Sequence, residues 1–146
     1  MKLHLVLAIV LLEIVSIFGA NPKIISPVGK SYHIPTVKSN WFKANSHCYN
    51  IGMRLVRISS SEEHNAVVKV IKASGYKYDN FWTSATELGN IGYYWFHSGQ
   101  NLQFKKWASG QPGGKDEHCM QLSRYTNFEW HDYPCTEVTR FVCETT

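Results

Sequence analysis

The sequence predicts one α+β domain, helices first and strands last. Three observations carry this. Two stretches between residues 39 and 75 space their apolar residues at helical intervals. From residue 76 onward, short aromatic or β-branched runs are separated by Gly, Asn and Pro, the punctuation of brief strands. No internal repeat or low-complexity tract interrupts either half, and 146 residues suit one core rather than two.

The elements follow in order. Residues 1–20, MKLHLVLAIVLLEIVSIFGA, have a basic start at Lys2, an apolar run and small residues at Gly19 and Ala20, and predict a secretory signal peptide. That run is shorter than the ~20 apolar residues a bilayer span needs. Nothing after residue 20 is apolar enough to cross a membrane. Residues 21–30 carry two prolines and a glycine and read as an irregular lead-in to a domain spanning 31–146. KSYHIP can start an edge strand. SNWFKANSHCYNIG puts Trp41, Ala44, Cys48 and Phe42 on one helical face, with Ser39 or Asn40 as N-cap and Gly52 as the stop. MRLVRI alternates into a short strand carrying Leu55. SSSEEHNAVVKVIKASG is the clearest helix: Ser60 and Glu63 form a capping box, the apolar face runs Ala66, Val67, Val70, Ile71, and Gly75 ends it.

Six strand runs follow: FWTSA, YYWFHS, LQFKKW, CMQL, FEWHD and RFVCE. Trp41, Trp82, Trp95, Trp107 and Trp130 sit in or beside apolar runs and are assigned chiefly to the core. The stretch from about 84 to 118 is loop-rich for a compact domain, and such loops are where binding usually resides.

Composition narrows the function. The net charge of +4 is mild, Lys105-Lys106 is the one adjacent basic pair, and no basic stripe interleaves with aromatics; nucleic-acid binding is not expected. The four cysteines, Cys48, Cys119, Cys135 and Cys143, all follow the leader, and an even count there argues for two disulfides in an oxidising compartment. Sequence leaves three pairings open. A zinc site would want paired C-x2-C motifs, which are absent. With every thiol committed to a bridge and seven histidines scattered outside any Ser-His-Asp order, no enzyme is expected. No N-x-S/T sequon occurs.

The ordered motifs NWFKANSHC, MRLVRI, FWTSA, W…GQP, EHCMQL, EWHD…C and RFVCE resemble a C-type lectin-like domain, most closely the short secreted single-domain lectins of insects. The resemblance covers about residues 31–144. It implies two helices with small antiparallel sheets, a long loop region stapled by a disulfide, and the pairings Cys48–Cys143 and Cys119–Cys135. It also implies a calcium ion in the long loop, completed by vicinal hydroxyls of a sugar; calcium takes about 6–8 oxygens from mixed donors. Carried over, Gln111 and Pro112 match the amide before the cis-proline, Glu117 matches the acid two before Cys119, and Asp132 matches the acid after Trp130. Gly113 stands where an acid or amide belongs. His131 replaces an Asn, and its nitrogen is a poor donor for a hard cation. The short loop brings Asp116 near, and Gly113-Gly114 lets it turn in as a substitute carboxylate.

Gln-Pro here resembles the galactose-selecting pattern. That pattern implies an aromatic stacked on the sugar, for which Tyr125 and Phe128 are available. The expected function is a secreted, calcium-assisted, galactose-type lectin binding glycans on cell or microbial surfaces. The competing reading, favoured by Gly113 and His131, is a calcium-independent lectin-fold module binding a protein or a surface, with Glu117 and Asp132 merely bonding the loop backbone.

Overall fold

The computed structural model describes residues 29–89 and 92–146. The signal-peptide segment and most of the lead-in lie outside the described residues. Among the described residues no helix is long and apolar enough to cross a membrane.

Strand β1 (Tyr32–His33) leads to helix α1 (Trp41–Asn50), β2 (Arg54–Leu55), helix α2 (Ser61–Ala73) and then β3 (Phe81–Thr86). The later half supplies β4 (Tyr94–Trp95), β5 (Gln100–Asn101), β6 (Cys119–Leu122), a 3-10 turn at Arg124–Thr126, β7 (Trp130–Tyr133), β8 (Arg140–Phe141) and β9 (Cys143–Glu144). One small sheet has the order β1-β9-β2, antiparallel throughout. The larger runs β5-β4-β3-β6-β7. One edge of β3 pairs with β6; its other edge is shared end to end by β4 and by β8, the latter running parallel to it.

The helices form where the apolar spacing predicts them. In α1, Asn40 is the cap: its side chain accepts from Lys43 N at 2.9 Å. The buried face is Trp41, Ala44, Asn45 and Cys48, the i, i+3, i+4, i+7 series. Phe42 is not on it. It lies 100° around the helix, 48% exposed, with its edge against the Trp41 ring. In α2, Ser60 Oγ accepts from Glu63 N at 3.2 Å, as the capping box requires. The return bond reaches one residue further than expected: Glu63 Oε2 accepts from Ser59 N at 2.6 Å while its Oε1 pairs with Lys30 at 2.9 Å. Val67, Val70 and Ile71 are buried as expected, joined by Val68, whereas Ala66 is only partly covered.

The run LQFKKW forms no strand. A single parallel bridge from Trp107 to Trp130 and its aromatics hold it instead: Phe104 and Trp107 set their rings edge-on to Trp130 at 5.5 and 5.9 Å. Trp41, Trp82, Trp95 and Trp130 are at most 2% exposed, and Trp107 packs partly buried against the same core. The two disulfides are Cys48–Cys143, joining α1 to β9, and Cys119–Cys135, joining β6 to the segment after β7.

Candidate functional site

The long loop between β5 and β6 is pinned to β7 through Trp130. The indole is fully buried among Trp95, Phe104 and Trp107. Its backbone N–H donates to Lys106 O at 2.9 Å, and its carbonyl accepts from Ala108 N at 3.0 Å. A turn closed by Gln111 N donating to Ala108 O at 3.0 Å then presents the cis Gln111–Pro112 bond. Core packing therefore fixes both the loop and the two residues after Trp130.

Three of the four expected site residues meet at this place. Gln111 Oε1 accepts from the backbone N–H of Asp132 at 3.2 Å. Asp132, only 3% exposed, accepts from Gly113 N at 3.1 Å with each carboxylate oxygen and from Gly114 N at 3.0 Å with Oδ2. Glu117 lies directly over Gly114: a Cβ on that glycine would sit 1.8 Å from Glu117 Oε2, so only glycine leaves room for the carboxylate there. Burial pushes the Glu117 carboxyl above its ordinary range, and the neighbouring charges of Asp132 and Asp116 push the same way. Asp116 itself is exposed at the loop surface. Among the described residues no three His, Cys, Asp or Glu side chains converge to hold a metal by themselves.

The departures from the expected motif have visible structural roles. Gly113, lacking a side-chain donor, supplies its N–H to Asp132. His131 turns to Thr126, with Nε2 and Oγ1 at 3.0 Å. Burial lowers its pKa despite the opposing pull of Asp132 and Glu129. Neither aromatic proposed for stacking lines this loop. Phe128 is 4% exposed and packs on Phe81, with its backbone in the left-handed region (φ 66°). Tyr125 is 71% exposed but lines a different cleft.

What lies beside Pro112 instead is a hollow of about 400 Å³ lined by Tyr93, Trp107, Asn101 and Lys105. Tyr93 also donates from its hydroxyl to Glu117 O at 3.3 Å, and burial raises its pKa far above the phenol range. Sequence reasoning assigned Trp107 to the core and passed over Tyr93. Trp107 is the tryptophan of the W…GQP motif, whereas the signal at Tyr93 is only that it falls within the loop-rich stretch.

A family profile described as Lectin C-type domain matches residues 37–145. The chain belongs to the C-type lectin domain family. Membership of this family supports carbohydrate, in general, as its ligand class. This C-type lectin domain is 32% identical over 129 residues to "C-type lectin 37Da" of Drosophila melanogaster, covering 80% of this chain and 69% of that protein. It is 32% identical over 117 residues to "Perlucin" of Haliotis laevigata, covering 77% and 74%. Among solved structures, the mouse scavenger receptor C-type lectin carbohydrate-recognition domain superposes with a TM-score of 0.73 at 26% identity, over 86% of this chain and 95% of that one.

Proposed function

We propose that the protein is a secreted lectin, released after removal of residues 1–20, whose domain at 31–146 binds galactose-type sugars with the help of calcium. The observation that carries this reading is the convergence of Gln111, Glu117 and Asp132 around the Gly113-Gly114 turn. An amide oxygen and two carboxylates are donors a hard cation accepts. Among the described residues no ion pair involves Asp116, Glu117 or Asp132. Burial first, and then the charges of Asp132 and Asp116, raise the Glu117 carboxyl, and a bound cation would relieve the repulsive part. Calcium, when bound, would supply a Lewis-acidic centre for vicinal sugar hydroxyls.

The chain's own residues do the rest. The bonds to Ala108 O and from Asp132 N hold Gln111, Trp130 anchors Asp132, and Gly114 gives Glu117 its place. Exposed Asp116 is the carboxylate able to close in. Tyr93 and Trp107 offer the apolar wall beside Pro112 for a sugar ring. The cation must share Asp132 with two glycine amides, so the expected affinity is in the weak extracellular range, ~10⁻⁴–10⁻³ M. Two disulfides fit an oxidising compartment, and glycans of cell or microbial surfaces are the proposed partners.

Calorimetry with calcium, followed by retention on immobilised galactose with and without chelator, tests this. The expected result is weak calcium heat and chelator-released retention. Gly113→Asp with His131→Asn should strengthen both, since each adds an oxygen donor, although a Cβ at 113 must fit 3.1 Å from Gly110 O. No calcium heat and no retention, in native and double variant alike, would overturn the reading. Retention that survives chelation would assign the role of the cation to the glycine amides already on Asp132, and a protein or surface would then be sought as partner.

A further inference from the structure

A second cleft lies at the tip of the β6–β7 hairpin, away from the 111–117 loop. It has a volume of about 670 Å³ and is lined by Lys72, Lys77, Tyr78, Arg124, Tyr125 and Phe128. Its walls are cations and exposed phenols: Tyr78 is 70% and Tyr125 71% exposed. Each ring has a cation on one face, Lys77 Nζ 5.1 Å from the Tyr78 centroid and the Arg124 guanidinium 4.4 Å from that of Tyr125. The guanidinium is oriented by donating to the Tyr78 carbonyl and to the Tyr125 hydroxyl. Of its five N–H donors this leaves three. Lys72 is positioned by donating to Asn127 Oδ1 at 3.2 Å.

No carboxylate answers these charges. Among the described residues, none of the ion pairs involves Lys72, Lys77 or Arg124. The acid nearest in sequence, Asp79, is already taken by Lys38 at 2.6 Å and Arg140 at 2.7 Å. The cleft thus gathers three uncompensated cations in a chain whose net charge is +4. The hairpin tip is also held in a costly backbone. Asn127 (φ 51°) and Phe128 (φ 66°) are consecutive non-glycine residues in the left-handed region, and such strain gathers at functional positions. At this tip Phe128 is buried while Arg124 and Tyr125 stay at the surface.

We propose that this cleft is a second binding site, for an anionic polysaccharide bearing sulfate or carboxylate groups. A pre-oriented guanidinium takes such a group through two parallel N–H donors. The flanking lysines take its neighbours as point charges. The exposed phenol rings present flat apolar faces to the C–H side of a pyranose. A membrane surface fits less well, because the lining offers no exposed aliphatic side chain to insert. The site shares no residue with the 111–117 loop and does not rest on its function.

The test is titration with a heparin hexasaccharide in chelator, so that the calcium-assisted loop is silent. Lys77→Gln with Arg124→Gln should weaken binding roughly tenfold or more, as loss of charge-assisted contacts implies. Lys43→Gln with Lys69→Gln removes the same charge at exposed positions outside the cleft and should change it less than about threefold. Tyr78→Ala, which keeps both the carbonyl and the Tyr125 hydroxyl that orient Arg124, should weaken the hexasaccharide more than it weakens inorganic polyphosphate. Melting curves verify that each variant is folded, and Lys77→Gln alone, at an exposed turn, provides a milder version of the first. Equal weakening by both charge pairs overturns the site in favour of bulk charge. So does absence of hexasaccharide binding, including the case where phosphatidylserine vesicles or a single-stranded oligonucleotide bind instead. Neither result bears on galactose retention.

Discussion

His64 is the residue whose position in the core has the clearest chemical consequence. It lies on α2, 2% exposed, and its Nδ1 accepts from the Trp130 indole N–H at 3.4 Å. Burial, with a smaller contribution from Lys106, lowers its pKa from the usual 6.5 to about 4. The unfolded chain therefore takes up a proton that the folded chain refuses. Stability should be complete above pH 6.5 and should decline as pH falls through 6.5 towards 4, by roughly 3 kcal/mol in all. His64→Gln keeps an acceptor for Trp130 and does not titrate. Denaturant melts at several pH values should show a flatter decline for this variant across that interval, and parallel declines would exclude His64 as the titrating group. A similar residue-level logic runs through the binding loop: Gly113 and Gly114 contribute through their amides and through the absence of a Cβ, roles that no side-chain motif announces.

Among the elements, α2 is the one whose start is most sharply specified. Ser60→Ala removes the acceptor for Glu63 N and should cost about 0.5–2 kcal/mol, read as a lower denaturation midpoint with unchanged slope. An unchanged midpoint would show that the Glu63 bond to Ser59 suffices as a cap. Both helices were legible in the sequence because a helix writes its buried face every three to four residues. The exception, Phe42, is a large apolar residue outside that series, so size alone misled. The strands were legible as apolar runs but not in length. YYWFHS contributes only Tyr94–Trp95, and LQFKKW contributes aromatic anchors without a ladder. Pairing partners far along the chain decide this, and a local pattern carries no register. In the site, Gln111, Glu117 and Asp132 were readable because their spacing from Pro112, Cys119 and Trp130 is fixed in the motif. In the wall beside Pro112, Trp107 stands at a motif position that also serves the core, and Tyr93 lies at none.

At the scale of the molecule the two disulfides divide the labour of closure. Cys48–Cys143 spans 95 residues and is wholly buried; Cys119–Cys135 spans 16, and Cys135 is 8% exposed. Chain-entropy arguments give about 5 and about 3 kcal/mol respectively. With mild reductant and a thiol label read by mass spectrometry, Cys119 and Cys135 should be modified first, with the helices still folded. Modification of Cys48 and Cys143 ahead of them would contradict this order. The position of β9 carries a further consequence. This strand is the middle of the small sheet, flanked by β1 and β2 from the opposite end of the domain, and it holds the partner of Cys48. A ribosome delivers the chain from its first residue onward, at about 5–20 residues per second. Until residue 144 has emerged, β1 and β2 have no strand between them and the Cys48 thiol has no mate. The domain is therefore a late closer in biosynthesis: its early half must wait, unpaired, for the last stretch to arrive before it can lock.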